Sequence, residues 1–199
     1  SVTCVVISPD NKYIFSASKD CSIVKWDFES GKKFNVIPGI IKKKNHQTQS
    51  GHSSCILALA ISSDSKFLVS GCHDKIIHVW NPETMQFIHT FKGHRGPVSG
   101  LVFRKGTHQL FSSSFDRSVK VWNLDEMTYV ETLFGHQDII TAIDCFIKER
   151  AITSGGRDSS VRIWKIVEES QLVFQGNNSS IDCVKLIDEQ HFVSASDDG

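Results

Sequence analysis

Four tryptophans recur along this chain of 199 residues, and each stands six residues after an aspartate. The last three, Trp80, Trp122 and Trp164, are 42 residues apart. A serine precedes each aspartate by four residues, and a Gly-His pair precedes three of the aspartates, with its histidine 22 residues upstream. A fixed period in the low forties predicts several copies of one supersecondary unit packed side by side.

Each repeat contains the same set of marker residues, apart from the first, which lacks the histidine. The markers are Ser16, Asp20 and Trp26; His52, Ser70, Asp74 and Trp80; His94, Ser112, Asp116 and Trp122; and His136, Ser154, Asp158 and Trp164. Three identical Ser/His/Asp active sites in one small chain are implausible. A buried tryptophan N–H needs an acceptor, which serine supplies, and histidine can bridge that serine to a carboxylate. We therefore interpret the markers as structural tetrads without a catalytic role.

Between the markers, each repeat contains four short runs of β-branched and aromatic residues separated by turn residues, which predicts an all-β chain. In its period and its marker residues, the sequence resembles the WD-repeat β-propeller family. We expect a single partial propeller domain over residues 1–199, with four full blades and part of a fifth. Its predicted blades are about 1–37, 52–91, 94–134, 136–174 and 177–199, with an insert loop at 38–50. Because such rings usually close with about seven blades, the chain is expected to be a fragment of a longer protein.

Composition and motifs limit the possible functions. Lys plus Arg and Asp plus Glu number 22 each, so the net charge is zero and any basic site must be local. The sequence has no apolar run of membrane-spanning length, and we expect no secretory leader. Six cysteines without metal-type spacing predict reduced thiols in an intracellular protein. Phosphate-binding, zinc-protease and nucleophile-elbow motifs are absent from the sequence. We therefore expect no enzyme activity, cofactor, metal, membrane contact or small-molecule substrate.

Binding remains as the expected role. In WD propellers, partners commonly use the face whose loops enter the innermost strands. The residue just before each aspartate marker is expected there, and the insert loop holds the only basic run. Cations can contact phosphates and an exposed aromatic ring can contact bases, although an ordinary solvated surface is the alternative for every position. The candidate partner- or RNA-binding residues are Lys19, Lys42, Lys43, Lys44, His73, Phe115 and Arg157.

A more specific resemblance lies in the sequence between the markers. It is carried by Ser1–Tyr13, Phe103–Phe111, Phe115–Asn123, Tyr129–Asp138, Gly155–Asp158 and Glu168–Phe174. These stretches resemble the WD-repeat proteins of the U3 small nucleolar ribonucleoprotein. The resemblance implies a non-enzymatic nucleolar scaffold in the nucleus that binds U3 small nucleolar RNA at its box B/C motif.

The same resemblance implies that a kink-turn-binding protein and other ribonucleoprotein proteins are partners. It also implies a role in pre-ribosomal RNA processing and small ribosomal subunit biogenesis. The alternative is a protein-only WD-repeat adaptor, such as a ubiquitin-ligase substrate receptor or a chromatin reader. Steep salt dependence of binding would favour RNA, because cation–phosphate contacts release counterions.

Overall fold

The structure is a computed structural model that describes residues 1–40, 51–175 and 179–198. The regular elements within these ranges are all β-strands. Four antiparallel sheets of four strands follow one another along the chain, and a two-stranded sheet comes last. The prediction of an all-β fold is therefore confirmed. None of the described residues belongs to a helix long and apolar enough to cross a membrane.

The four full sheets are numbered as blades 1 to 4, and the two-stranded sheet belongs to blade 5. The strands of blades 1 and 2 are β1 (Val2–Ile7), β2 (Tyr13–Ser18), β3 (Ile23–Asp27), β4 (Lys33–Ile37), β5 (Ile56–Ile61), β6 (Leu68–Cys72), β7 (Ile76–Trp80) and β8 (Phe87–Lys92). Those of blades 3, 4 and 5 are β9 (Val98–Phe103), β10 (Gln109–Ser114), β11 (Ser118–Asn123), β12 (Thr128–Phe134), β13 (Ile140–Cys145), β14 (Arg150–Gly155), β15 (Ser160–Lys165), β16 (Ser170–Gln175), β17 (Ile181–Leu186) and β18 (Phe192–Ser196).

Within each blade the strands pair in chain order, and the blades pack side by side. The first strand of one blade contacts the first strand of the next, so that β1, β5, β9, β13 and β17 line the inside. The fourth strands lie outside, and β16 is exposed along its whole length. This radial order of strands is that of a β-propeller.

Apolar residues from both faces of each sheet fill the spaces between neighbouring blades. Trp80 is fully buried in a cluster with Phe15 and Ile56, which joins blade 1 to blade 2. Trp122 packs in the cluster between blades 2 and 3, and Trp164 in the cluster between blades 3 and 4. Full burial of an isoleucine or phenylalanine side chain in these clusters contributes about 1.5–3 kcal/mol. The interblade packing therefore holds the blades in fixed positions.

One face of the propeller carries the loops that enter the inner strands together with the turns between second and third strands. We call it the entry face. Backbone hydrogen bonds tie each turn to the neighbouring entry segment: Phe115 N donates to Pro97 O at 2.9 Å, and Gly156 N donates to Ile139 O at 2.8 Å. The turns of the entry face therefore have a fixed backbone on which side chains can be presented.

Candidate functional site

Blade 3 contains an unbroken chain of hydrogen bonds from its core to the entry face. Trp122 Nε1 donates to Ser112 Oγ at 2.8 Å, and His94 Nε2 lies 2.8 Å from the same oxygen. His94 Nδ1 lies 2.9 Å from Asp116 Oδ2. An ionised carboxylate only accepts, so His94 Nδ1–H donates to Asp116 and Nε2 accepts the Ser112 proton. The four predicted tetrad residues of this blade are therefore brought together.

Asp116 accepts further hydrogen bonds on both of its carboxylate oxygens. Oδ2 also accepts the backbone N–H of Arg95 at 2.7 Å, and Oδ1 accepts the backbone N–H of Ser118 at 3.0 Å and its hydroxyl at 2.5 Å. Burial alone would raise the pKa of Asp116, but hydrogen bonds from His94 and Ser118 hold that pKa well below its usual range. Asp116 is therefore an ionised anchor between the entry loop and the turn.

In blade 4 the prediction of Ser154 is wrong, because Thr153 takes its place. Thr153 Oγ1 accepts from Trp164 Nε1 at 2.8 Å and lies 2.8 Å from His136 Nε2. His136 Nδ1 lies 2.8 Å from Asp158 Oδ2, as in blade 3. The turn from β14 to β15 is one residue longer than the turn from β10 to β11, which moves the hydroxyl one position upstream.

Ser154 points to the other side of β14, because successive strand residues face opposite sides of a sheet. Its hydroxyl lies 2.9 Å from Thr141 Oγ1, and Thr141 donates to Ile181 O at 2.6 Å. Ser154 therefore belongs to a contact between the inner strands of blades 4 and 5.

Blade 2 departs from the predicted tetrad at its carboxylate. Trp80 Nε1 donates to Ser70 Oγ at 2.7 Å, and His52 Nε2 lies 2.5 Å from that oxygen. Asp74, however, accepts the hydroxyl of Ser53 at 2.7 Å, and His52 Nδ1 is buried without a partner among the described residues. The hydrogen bond from His52 to Asp74 is therefore missing, and Ser53, the residue after the histidine, donates to this carboxylate instead.

The ring of His52 lies against a second histidine, with 4.4 Å between its centroid and that of His78. Burial and this neighbour lower the pKa of His52 to about 3. His52 is therefore neutral at physiological pH. In blade 1, Trp26 Nε1 donates to Ser16 Oγ at 2.7 Å, while Asp20 accepts from the backbone and hydroxyl of Ser22.

The candidate binding residues outside the insert loop are all exposed on the entry face. Lys19, His73, Phe115 and Arg157 lie in the turns of blades 1, 2, 3 and 4, one residue before the respective aspartate. The structure therefore distributes them over four blades and does not gather them in one cluster. Lys42, Lys43 and Lys44 lie outside the described residues.

One groove on the entry face combines cations with exposed aromatic rings. Its volume is about 870 Å³, and it lies above blade 3 between the entry loops at residues 93–97 and 135–139. We call it the blade-3 groove. The side chains that define it are Arg95, Phe115, Arg117, Lys120, Phe134 and Gln137. Of these, sequence reasoning selected only Phe115 as a binding residue.

Lys120 is partly engaged within its own blade. Its Nζ donates to Thr132 Oγ1 at 2.6 Å and lies 5.1 Å from the ring centroid of Tyr129. The stem therefore crosses the neighbouring strand, as is common for long side chains on third strands. Arg95 and Arg117 are exposed and directly follow His94 and Asp116, a position in the repeat that could have identified them from the sequence.

The fold and the tetrads define a WD-repeat protein, and sequence comparison agrees. Residues 1–27, 43–81, 85–123 and 127–165 match the family described as "WD domain, G-beta repeat", which is more than half of the chain. The chain therefore belongs to the WD-repeat family.

The relatives of this chain within the family include proteins named for U3 small nucleolar RNA. The chain is 62% identical over its whole length to "U3 small nucleolar RNA-interacting protein 2" of Mus musculus and 59% identical to the Homo sapiens protein of the same name. A solved structure of U3-55K superposes with a TM-score of 0.94 at 57% identity, covering 100% of this chain and 59% of that one. The chain spans 42% of the length of the two relatives.

Proposed function

We propose that this chain is part of a non-enzymatic scaffold that binds U3 small nucleolar RNA and neighbouring proteins in the U3 small nucleolar ribonucleoprotein. The observation that carries the proposal is the identity of 59–62% over 100% of the chain. Generic WD-repeat markers alone account for only a few positions in each blade, so most of this identity lies between them. The fold alone does not dictate residues at so many positions, so identity of this extent favours a shared binding role.

The burial of the tetrads supports a role without catalysis. The hydroxyl-bearing residues Ser70, Ser112 and Thr153 are fully buried, and each receives a tryptophan N–H. A nucleophile must reach its substrate, whereas these hydroxyls are buried and hydrogen-bonded to an indole N–H. No group of three or more His, Cys, Asp or Glu residues in the described part of the chain is arranged to hold a metal ion.

The proposal extends to partners and location. The scaffold acts on the box B/C motif together with a kink-turn-binding protein, in the nucleolus, during pre-ribosomal RNA processing and small-subunit biogenesis. The mechanism is passive: rigid blades fix the positions of the RNA and the proteins around it. The packed clusters between blades support this rigidity.

The test is a titration of the full-length protein against U3 box B/C RNA with the kink-turn-binding protein present. It is carried out at two salt concentrations, with a scrambled RNA of the same length as control. We expect preference for U3 RNA and affinity that falls as salt rises, because neutralised phosphates release counterions. Equal affinity for the scrambled RNA, or salt-independent binding to a peptide partner only, would contradict the proposal and favour a protein-only adaptor.

A further inference from the structure

We propose that the blade-3 groove binds a single-stranded segment of RNA, with phosphates held by Arg95 and Arg117 and a base stacked on Phe134. This inference rests on the proposed function and adds the place and the chemistry of one RNA contact. A positively charged groove beside exposed aromatic rings is the arrangement that single-stranded nucleic acid requires.

The two arginines leave their charge available to a ligand. None of the ion pairs within residues 1–40, 51–175 and 179–198 includes Arg95 or Arg117. Among the described residues that line the groove, Asp116 is the one acidic residue, and both of its oxygens accept hydrogen bonds from the tetrad and the adjoining backbone. The side chains that face the groove therefore present net positive charge.

Two aromatic rings border these cations. Phe134 at the end of β12 is 73% exposed, and Phe115 in the turn is 41% exposed. Contiguous exposed apolar surface with polar residues around it often marks a binding site, and these two rings line the same groove as the two arginines. A base offers a π-face to such a ring whatever its identity.

The combination belongs to blade 3 and is not a general property of the repeat. Neither neighbouring blade has an arginine at the two positions that correspond to Arg95 and Arg117. The residues there are Ser53 and Lys75 in blade 2 and Gln137 and Ser159 in blade 4. A purely structural requirement of the fold would apply to all blades, so it does not explain the two arginines.

The backbone under the groove holds these side chains in place before any ligand binds. Arg95 N donates to Asp116, and Phe115 N donates to Pro97 O, so the entry loop and the turn are fastened together at two points. Both bonds use the backbone, so substitution of the Arg95 side chain leaves them intact. Positioning before binding reduces the entropy lost on binding.

Exposed phenylalanines favour RNA over an acidic peptide as the ligand. A chain of carboxylates would use the arginines but would have no group that stacks on Phe134. Phosphates joined to flat bases use both features at once. The two ligands therefore predict different effects of the Phe134→Ala substitution, because only RNA binding should weaken.

The experiment measures binding of a fluorescent short oligouridylate and of an oligoglutamate peptide to the full-length protein. The groove variants are Arg95→Glu with Arg117→Glu, and Phe134→Ala. The matched control is Lys32→Glu with Lys148→Glu, which makes the same charge change at exposed turns on the opposite face. Thermal melting of every variant verifies that it is folded.

We expect the double arginine variant to weaken oligouridylate binding and to reduce the slope of log affinity against log salt by about 1.4, since each phosphate contributes about 0.7. Phe134→Ala should weaken binding by roughly 5- to 150-fold, the loss of one stacked base, without changing that slope. The control variant should bind as the unmodified protein does.

Unchanged oligouridylate affinity in both groove variants would overturn the inference, as would tighter binding of the oligoglutamate peptide. The U3 and scrambled RNAs, measured with the same variants, separate this inference from the proposed function. If the protein binds U3 and scrambled RNA equally well, but the groove variants still weaken binding, only the proposed function is contradicted. If the protein prefers U3 RNA and the groove variants bind it as the unmodified protein does, only the inference about the groove is contradicted.

Discussion

Replacement of His94 by alanine tests the energetic role of the blade-3 tetrad. The substitution removes the two hydrogen bonds that the imidazole makes at 2.8 and 2.9 Å to Ser112 and Asp116. The His94 side chain is 1% exposed and that of Asp116 is 11% exposed, so water replaces the lost partners poorly. Asp116 and Ser112 keep their other hydrogen bonds, so the loss is that of one bond between neutral groups, about 0.5–1.5 kcal/mol, and one to a charged carboxylate, about 1.5–3 kcal/mol. We expect the free energy of unfolding to fall by about 2–4 kcal/mol.

The matched comparison is His52→Ala in blade 2. This imidazole is equally buried, but it makes only one side-chain hydrogen bond, to Ser70, and its Nδ1 has no partner in the described part of the chain. Deletion of His52 also removes a buried unsatisfied atom, which offsets part of the loss. The cavities are similar in size, so the cavity term nearly cancels between the two variants. We expect a fall of about 1 kcal/mol for His52→Ala.

Urea unfolding of the full-length variants, followed by tryptophan fluorescence, measures both changes. We expect the His94 variant to lose more stability than the His52 variant, by about 1–3 kcal/mol. Equal losses, or a larger loss for His52→Ala, would refute the account in which the complete bridge from serine to carboxylate stabilises the blade.

Two further predictions address the corrected tetrad and the charge network on the opposite face. Thr153→Val should lower the free energy of unfolding by about 2 kcal/mol, because it leaves the Trp164 Nε1–H buried without an acceptor. Ser154→Ala should lower it by about 1 kcal/mol or less. The same urea assay measures both variants, and a larger loss for Ser154→Ala would contradict the assignment of Thr153 to the tetrad. His108 makes hydrogen bonds to Asp64 and to Asp125. Burial lowers the pKa of His108, but these two hydrogen bonds raise it, and the overall shift is upward. The contribution of His108 is therefore fully present below its unfolded pKa, near 6.5, and disappears as pH rises through the higher folded value. Between pH 6 and pH 9, the free energy of unfolding should fall by about 0.5–1 kcal/mol more in the unmodified protein than in the His108→Gln variant. The same pH dependence in both proteins would exclude a stabilising role for the His108 hydrogen bonds.

The blades were predictable from the sequence because their signal is periodic. The spacing of Trp80, Trp122 and Trp164 follows from one blade geometry repeated along the chain, and the alternation of apolar residues places the strands. Counting at a fixed offset failed at Ser154, since one extra residue in the turn changes the register by one position. The histidine, aspartate and tryptophan of this tetrad were predicted, but the position and type of its hydroxyl residue depend on turn length.

The blade-3 groove was not predictable in the same way. Its lining comes from three segments, at residues 93–95, 115–120 and 134–137, that meet only in the folded blade. The zero net charge of the chain gives no indication of a local basic site. The missing bridge between His52 and Asp74 was equally hidden, because it depends on the hydroxyl of Ser53 competing for the carboxylate.

The most direct test of an RNA-binding scaffold is ultraviolet cross-linking of U3 RNA to the full-length protein, in the presence of the kink-turn-binding protein, with the cross-linked peptides identified by mass spectrometry. The account predicts cross-links on the entry face, in peptides that contain residues 93–97, 115–120 or 134–137. Cross-links confined to the turns of the opposite face, at 62–66, 104–108 or 146–149, or no cross-link above a scrambled RNA, would contradict it.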